Sequence, residues 1–128
     1  MSARWVWWAG YAVVTALALW LTARAYLYGL PAVLNTVWQA DKALHLLIAG
    51  LLAFFLDGAL ARRRAFTAGG LEVPLAAVLV LIPTGIEECL QTFSVLRTAS
   101  VWDYAADVTG VLVFIPLSRR FGRRFASR

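Results

Sequence analysis

Apolar residues dominate four long stretches, approximately Trp5–Ala25, Leu44–Leu60, Val73–Phe93 and Val101–Leu117, and polar residues gather between them. Each stretch approaches the roughly 20 apolar residues that a helix needs to cross a bilayer core. With no water at that depth to bond free backbone groups, helices are the expected solution. Between the first two stretches, Gly29 and Pro31 break the preceding helix, and Pro31 suits a first helical position. Leu30, Val33, Leu34, Val37 and Trp38 then recur at helical spacing. This predicts a short helix on the outer membrane surface, serving as a lid over polar groups or as a plain apolar connector. The pattern predicts an all-α integral membrane bundle of four transmembrane helices, with a short interfacial helix between the first two. Residues 1–128 form a single domain.

Composition agrees. Of the 128 residues, 62% are hydrophobic, and the mean hydropathy is +0.74, too apolar for an ordinary soluble domain of this size. No tandem repeat or low-complexity tract is visible. The basic residues set an orientation. Arg4, Arg62, Arg63, Arg64, Arg119, Arg120, Arg123, Arg124 and Arg128 fall on one side if all four segments cross, leaving Arg24, Lys42 and Arg97 on the other. An excess of positive charge marks the cytoplasmic face, so both termini are expected inside. The net charge of +5 then reads as topology anchoring against anionic lipid, with no nucleic-acid motif to support another use.

The first segment carries Arg4 ahead of an apolar run and a formal Ala-x-Ala at Ala23–Ala25. Its run is longer than the 7–15 residues of a signal h-region, and Trp5, Trp7 and Trp8 suit interfacial anchors, so it is read as a membrane helix. Cys89 is the one cysteine, which excludes an internal disulfide. It is expected as a small residue at a helix interface, since a buried thiol away from positive charge is inert.

On this topology, Asp41, His45, Glu87, Glu88, Arg97, Asp103 and Asp107 all arrive at the outer end. Asp41 and His45 are four apart and share a helical face, as do Asp103 and Asp107. His45 lies about 6 Å deeper than Asp41, and Asp107 about 6 Å deeper than Asp103, at 1.5 Å per residue. Pro83 and Gly85 interrupt the third span just before Glu87. A kink there would turn Glu88 and Gln91, which share a face, toward the bundle axis. Glu87 and Glu88 differ by about 100° around the helix, so one of them, taken as Glu88, is expected to face the cluster. Gly110 offers a close-packing point.

Each group alone has a structural reading. Asp41 and Asp103 suit helix N-caps, with Ser100 a rival for the second. Lys42 suits snorkelling, Arg97 a surface ion pair and His45 a bond to Asp41. Together they mark a site, because ionisable groups in a membrane are costly and serve function by default.

The spaced set Asp41-Lys-Ala-Leu-His45, Glu88-Cys-Leu-Gln91 and Arg97-Thr-Ala-Ser-Val-Trp-Asp103, followed by Asp107 and Gly110, resembles the VanZ-like family of small membrane proteins. That family's pattern is similar to DK-x-x-H, then E-x-x-Q, then R-x-x-S-x-x-D-x-x-x-N-x-x-G. The match runs from residue 41 to 110, and Asp107 stands where the family commonly has Asn. The resemblance implies a bacterial cytoplasmic-membrane protein with an extracytoplasmic activity touching the cell envelope and a link to teicoplanin susceptibility.

Two functions compete. The first is an outer polar cavity that binds or modifies a lipid-linked or cell-wall component. Here His45, Glu88 and Asp103 are the candidate catalytic groups, and Asp41, Gln91, Arg97 and Asp107 the ligand-binding ones. A divalent metal on His45, Glu88, Asp103 and Asp107 is a variant without a close ligand motif, so metal and cofactor stay open. The second is a non-catalytic accessory subunit of a larger membrane complex, whose polar residues fix helix packing. Expected partners are membrane lipids, the envelope ligand and other membrane subunits, with no nucleic acid. A proton or solute pathway lacks inner charged stepping stones apart from Asp57.

Overall fold

Long runs of leucine, alanine and valine form helices in the computed structural model, which describes residues 4–29, 31–32 and 39–126. Helix α1 covers Arg4–Tyr28, α2 Ala40–Ala59, α3 Leu75–Gln91 and α4 Val101–Ala126. Three segments, Arg4–Tyr28, Ala40–Ala59 and Val101–Gly122, are long and apolar enough to cross a membrane. Helix α3 has 17 residues, which at 1.5 Å per residue is about 25 Å. The surface helix expected before Ala40 falls largely on residues 30 and 33–38, outside the described residues.

The third apolar run begins later than its sequence predicts, because Val73 and Pro74 belong to a β-strand. Strands β1 (Arg64–Ala68) and β2 (Leu71–Pro74) pair antiparallel between α2 and α3. Ala68 pairs with Leu71 across Gly69 and Gly70, whose φ values of 57° and 80° are those of a two-residue type I′ turn. The hairpin corrects a purely helical expectation. Its signal is the Gly-Gly pair flanked by Phe66-Thr67-Ala68 and Leu71-Glu72-Val73.

Helix α2 is the centre of the bundle, with α1, α3 and α4 packed around it and α4 most extensively. Its small residues Ala49 and Ala53 meet Val111 and Ile115 of α4 and Ala76 and Val80 of α3 in the core. At the α2–α4 crossing, a Cβ on Gly110 would strike the carbonyl oxygen of Leu46, and the Phe114 ring lies on Gly50. Backbones touch there, the device by which small residues bring membrane helices together. Helix α1 is seated by aromatic rings of the same kind: Phe55 covers Gly10, and Trp7 covers Gly58.

At the end of the bundle away from Asp41, Asp57 is 1% exposed and lies 3.5 Å from the Arg119 guanidinium. Arg4 donates to the Ala59 carbonyl at 3.3 Å. Asp57 is therefore a paired charge joining α2 to α4, with no need of a transported ion to neutralise it.

Candidate functional site

The polar groups at the opposite end come from all four helices and the 92–100 connection. Helix α2 starts with Asp41 and Lys42 and carries His45 one turn further in. Helix α4 presents Asp103 and Asp107 on the face that packs on α2. Helix α3 ends with Glu87, Glu88 and Gln91.

His45 is the hub. Its Nδ1 lies 3.1 Å from Asp107 Oδ1. An ionised carboxylate can only accept, so Nδ1 donates to Asp107, and the second ring nitrogen, Nε2, makes no hydrogen bond. That nitrogen faces Glu88 Oε1 at 3.9 Å and Asp41 Oδ1 at 4.0 Å, both beyond hydrogen-bond length. The expected Asp41–His45 bond is thus replaced by one to Asp107. The reason is geometric: the α2–α4 glycine crossing brings Asp107 closer than the residue one turn back.

Lys42 does not snorkel. Its ammonium donates to Asp103 at 2.8 Å, and Asp103 is 2% exposed. Asp103 therefore works as the buried half of an ion pair, where a simple helix cap was one expectation. Glu88 is also buried. Its Oε2 accepts from the Ser100 backbone at 3.2 Å and its Oε1 from Gln91 Nε2 at 3.2 Å. The same Gln91 nitrogen donates to Glu87 Oε2 at 2.7 Å, so this fully buried amide braces both glutamates. Tyr104 of α4 donates to the Leu81 carbonyl at 3.2 Å and its ring packs over Gly85, docking α4 where Pro83 interrupts the α3 ladder.

Beside this network lies a cavity of about 340 Å³ between α1, α2 and α3. Its charged lining is Arg24, Asp41, His45, Glu87, Arg97 and Asp107. Its apolar lining includes Ala18, Leu19, Leu44, Ile48, Leu52 and Leu79. Asp41 and Arg97 also border a second, outer space of about 490 Å³ with Tyr28, Val95 and Thr98. They stand where the two spaces meet.

Of the sequence-predicted residues, Asp41, His45, Arg97 and Asp107 line the inner cavity, while Glu88, Gln91 and Asp103 lie behind them in closed bonds. Glu87, rather than the expected Glu88, lines the cavity. Both glutamates serve the cluster because it wraps around the end of α3. Arg24 reads in the sequence as a topology marker only; its signal is a charge held inside the outer end of an apolar helix. Arg97 makes no hydrogen bond or ion pair among the described residues, contrary to the expected surface pair. Cys89 is exposed, where an interface was expected, because it lies about 100° around α3 from Glu88.

Asp41, His45 and Asp103 each offer one ligand atom, all within 4.8 Å of one another, and could hold a cation. Asp107, expected as a ligand, instead sits behind the ring on Nδ1. Lys42 already supplies a positive charge to Asp103. Compared with known proteins, the chain matches no family model, no curated protein and no solved structure.

Proposed function

We propose that the chain is a VanZ-like protein of the bacterial cytoplasmic membrane, with α3 as a fourth span and both termini cytoplasmic. Its outward cavity binds a lipid-linked or cell-wall component of the envelope. The observation that carries this reading is the cavity, charged beside Asp41 and apolar beside Leu52. Its volume falls in the range of small-molecule sites, and its lining suits a polar head joined to an apolar tail. The motif resemblance adds the envelope and teicoplanin susceptibility. We take the segment before Ala40 as an interfacial helix at the outer membrane surface. If chemistry accompanies binding, the unbonded Nε2 of His45 is the base, with Glu88 next to it. Asp103, held by Lys42, fixes the local charge.

A second reading, an accessory subunit with a structural polar network, draws on the Lys42–Asp103 and Gln91–Glu87/Glu88 bonds. One experiment separates the two. Ala18→Phe narrows the cavity, and His45→Ala and Glu88→Gln alter its polar end. The binding reading expects loss of the glycopeptide phenotype at normal abundance and normal melting temperature in detergent. Loss of folded protein in all three sinks it in favour of the accessory subunit.

A further inference from the structure

Apart from the His45–Asp107 pair, the charges around the cavity do not close on one another. Arg24 from α1 and Arg97 from the 92–100 connection both border it, and neither makes a hydrogen bond or ion pair with a described residue. Asp41 and Glu87 border it too. Among the described residues neither has a lysine or arginine within 4 Å; Glu87 meets the Gln91 amide, and Asp41 comes no nearer than 4.0 Å to the imidazole. Two guanidinium groups and two carboxylates thus border the cavity without closing on each other. An anionic ligand would face Asp41 and Glu87, a cationic one Arg24 and Arg97, and a neutral one would leave all four without an opposite charge. A head bearing both signs meets all four.

The cavity's depth points to an apolar chain attached to that head. From Asp41 to Leu52 along α2 is about 16 Å, roughly half of a 30 Å hydrocarbon core. Leu19 and Leu79 are wall residues yet 66% and 46% exposed, so the cavity is open sideways between α1 and α3. A chain reaching from the outer interface to the midplane, entered from the side, matches a lipid of one leaflet.

We infer that the cavity takes a zwitterionic phospholipid of the outer leaflet, with its phosphate between Arg24 and Arg97 and a primary ammonium against Asp41 and Glu87. The planar guanidinium forks suit phosphate oxygens, and a primary ammonium supplies three donors for the carboxylates. This rests on the reading that the cavity holds a lipid-linked molecule and names the head that it recognises.

The test is binding to the purified full chain, read by native mass spectrometry. The probes are dioleoyl phosphatidylethanolamine, phosphatidylglycerol (no ammonium), phosphatidylcholine (no N–H donor) and free phosphoethanolamine (no chain). Phosphatidylethanolamine should bind at least about tenfold tighter than the others, the effect of one lost charge-assisted contact. Arg24→Ala with Arg97→Ala should weaken it by at least about the same factor. Asp41→Asn with Glu87→Gln should shift preference toward phosphatidylglycerol. Melting temperatures check folding, and Arg24→Lys with Arg97→Lys gives a charge-conserving comparison that should retain part of the affinity. Equal or tighter binding of phosphatidylglycerol, or of free phosphoethanolamine, overturns the inference, as does indifference to the charge variants. If another lipid binds and Ala18→Phe displaces it, this inference fails while the proposed function stands. If no lipid binds, this inference fails, and the phenotype of Ala18→Phe decides the proposed function separately.

Discussion

Replacing Asp107 tests the hub of the polar network. Asp107→Leu removes the acceptor 3.1 Å from His45 Nδ1 and leaves a ring N–H facing an apolar side chain. A buried donor without a partner costs about 1–3 kcal/mol. The His45 side chain is 15% exposed and borders the cavity, where water can reach it, so the lower half of that range, about 1–2 kcal/mol, is expected. Asp107→Asn is different. Its amide oxygen can still accept from Nδ1, so only the charge assistance is lost, about 0.5–1 kcal/mol. Under the proposed VanZ-like assignment, in which Asn is common at this position, the Asn variant should keep its cellular activity. Reversible unfolding of the purified chain in mixed micelles by a denaturing detergent gives both values. Wild-type stability for the Leu variant, or a loss for Asn as large as for Leu, would refute the assigned bond.

Other contacts carry their own expected outcomes. Gly110→Ala should destabilise by at least about 2 kcal/mol in that unfolding assay, because the added carbon meets the Leu46 backbone, which cannot move aside like a side chain. Lys42→Met should cost up to about 3 kcal/mol by leaving Asp103 buried without its cation, and adding Asp103→Asn should recover most of the loss; no recovery means the pair is not the source. On a Cys89→Ser background, required because Cys89 is exposed, cysteines at Thr67 in β1 and Thr98 before α4 should label from opposite sides of the membrane. Labelling from one side sinks the fourth span.

The apolar runs make the helices legible, because lipid-facing and core-facing positions are both hydrophobic and the period matters less than the length. The α2–α4 seam is legible through Gly110, where a missing side chain predicts close approach. The hairpin is hard to read because its strands are short and mostly exposed, so no buried face imposes an alternating pattern. Within the site, local spacing identifies who can meet but not who does. Asp41 and Asp107 both lie within reach of His45, and the crossing of α2 and α4 decides for Asp107. Lys42–Asp103 is a contact across 61 positions, beyond any rule of helical spacing. That Arg24 and Glu87 border the same space is visible only once α1 and α3 are seen to frame one cavity.

Photocrosslinking with a diazirine-tailed lipid, mapped by peptide mass spectrometry on the full chain in membranes, tests most directly whether that cavity holds a lipid-like ligand. Crosslinks should concentrate on the α1 segment from Ala18 to Ala25 and the α3 segment from Leu79 to Glu87, and Ala18→Phe should remove them. Labelling spread evenly over outward faces such as Val13 and Leu112, and unchanged by Ala18→Phe, would mean that the cavity holds no lipid.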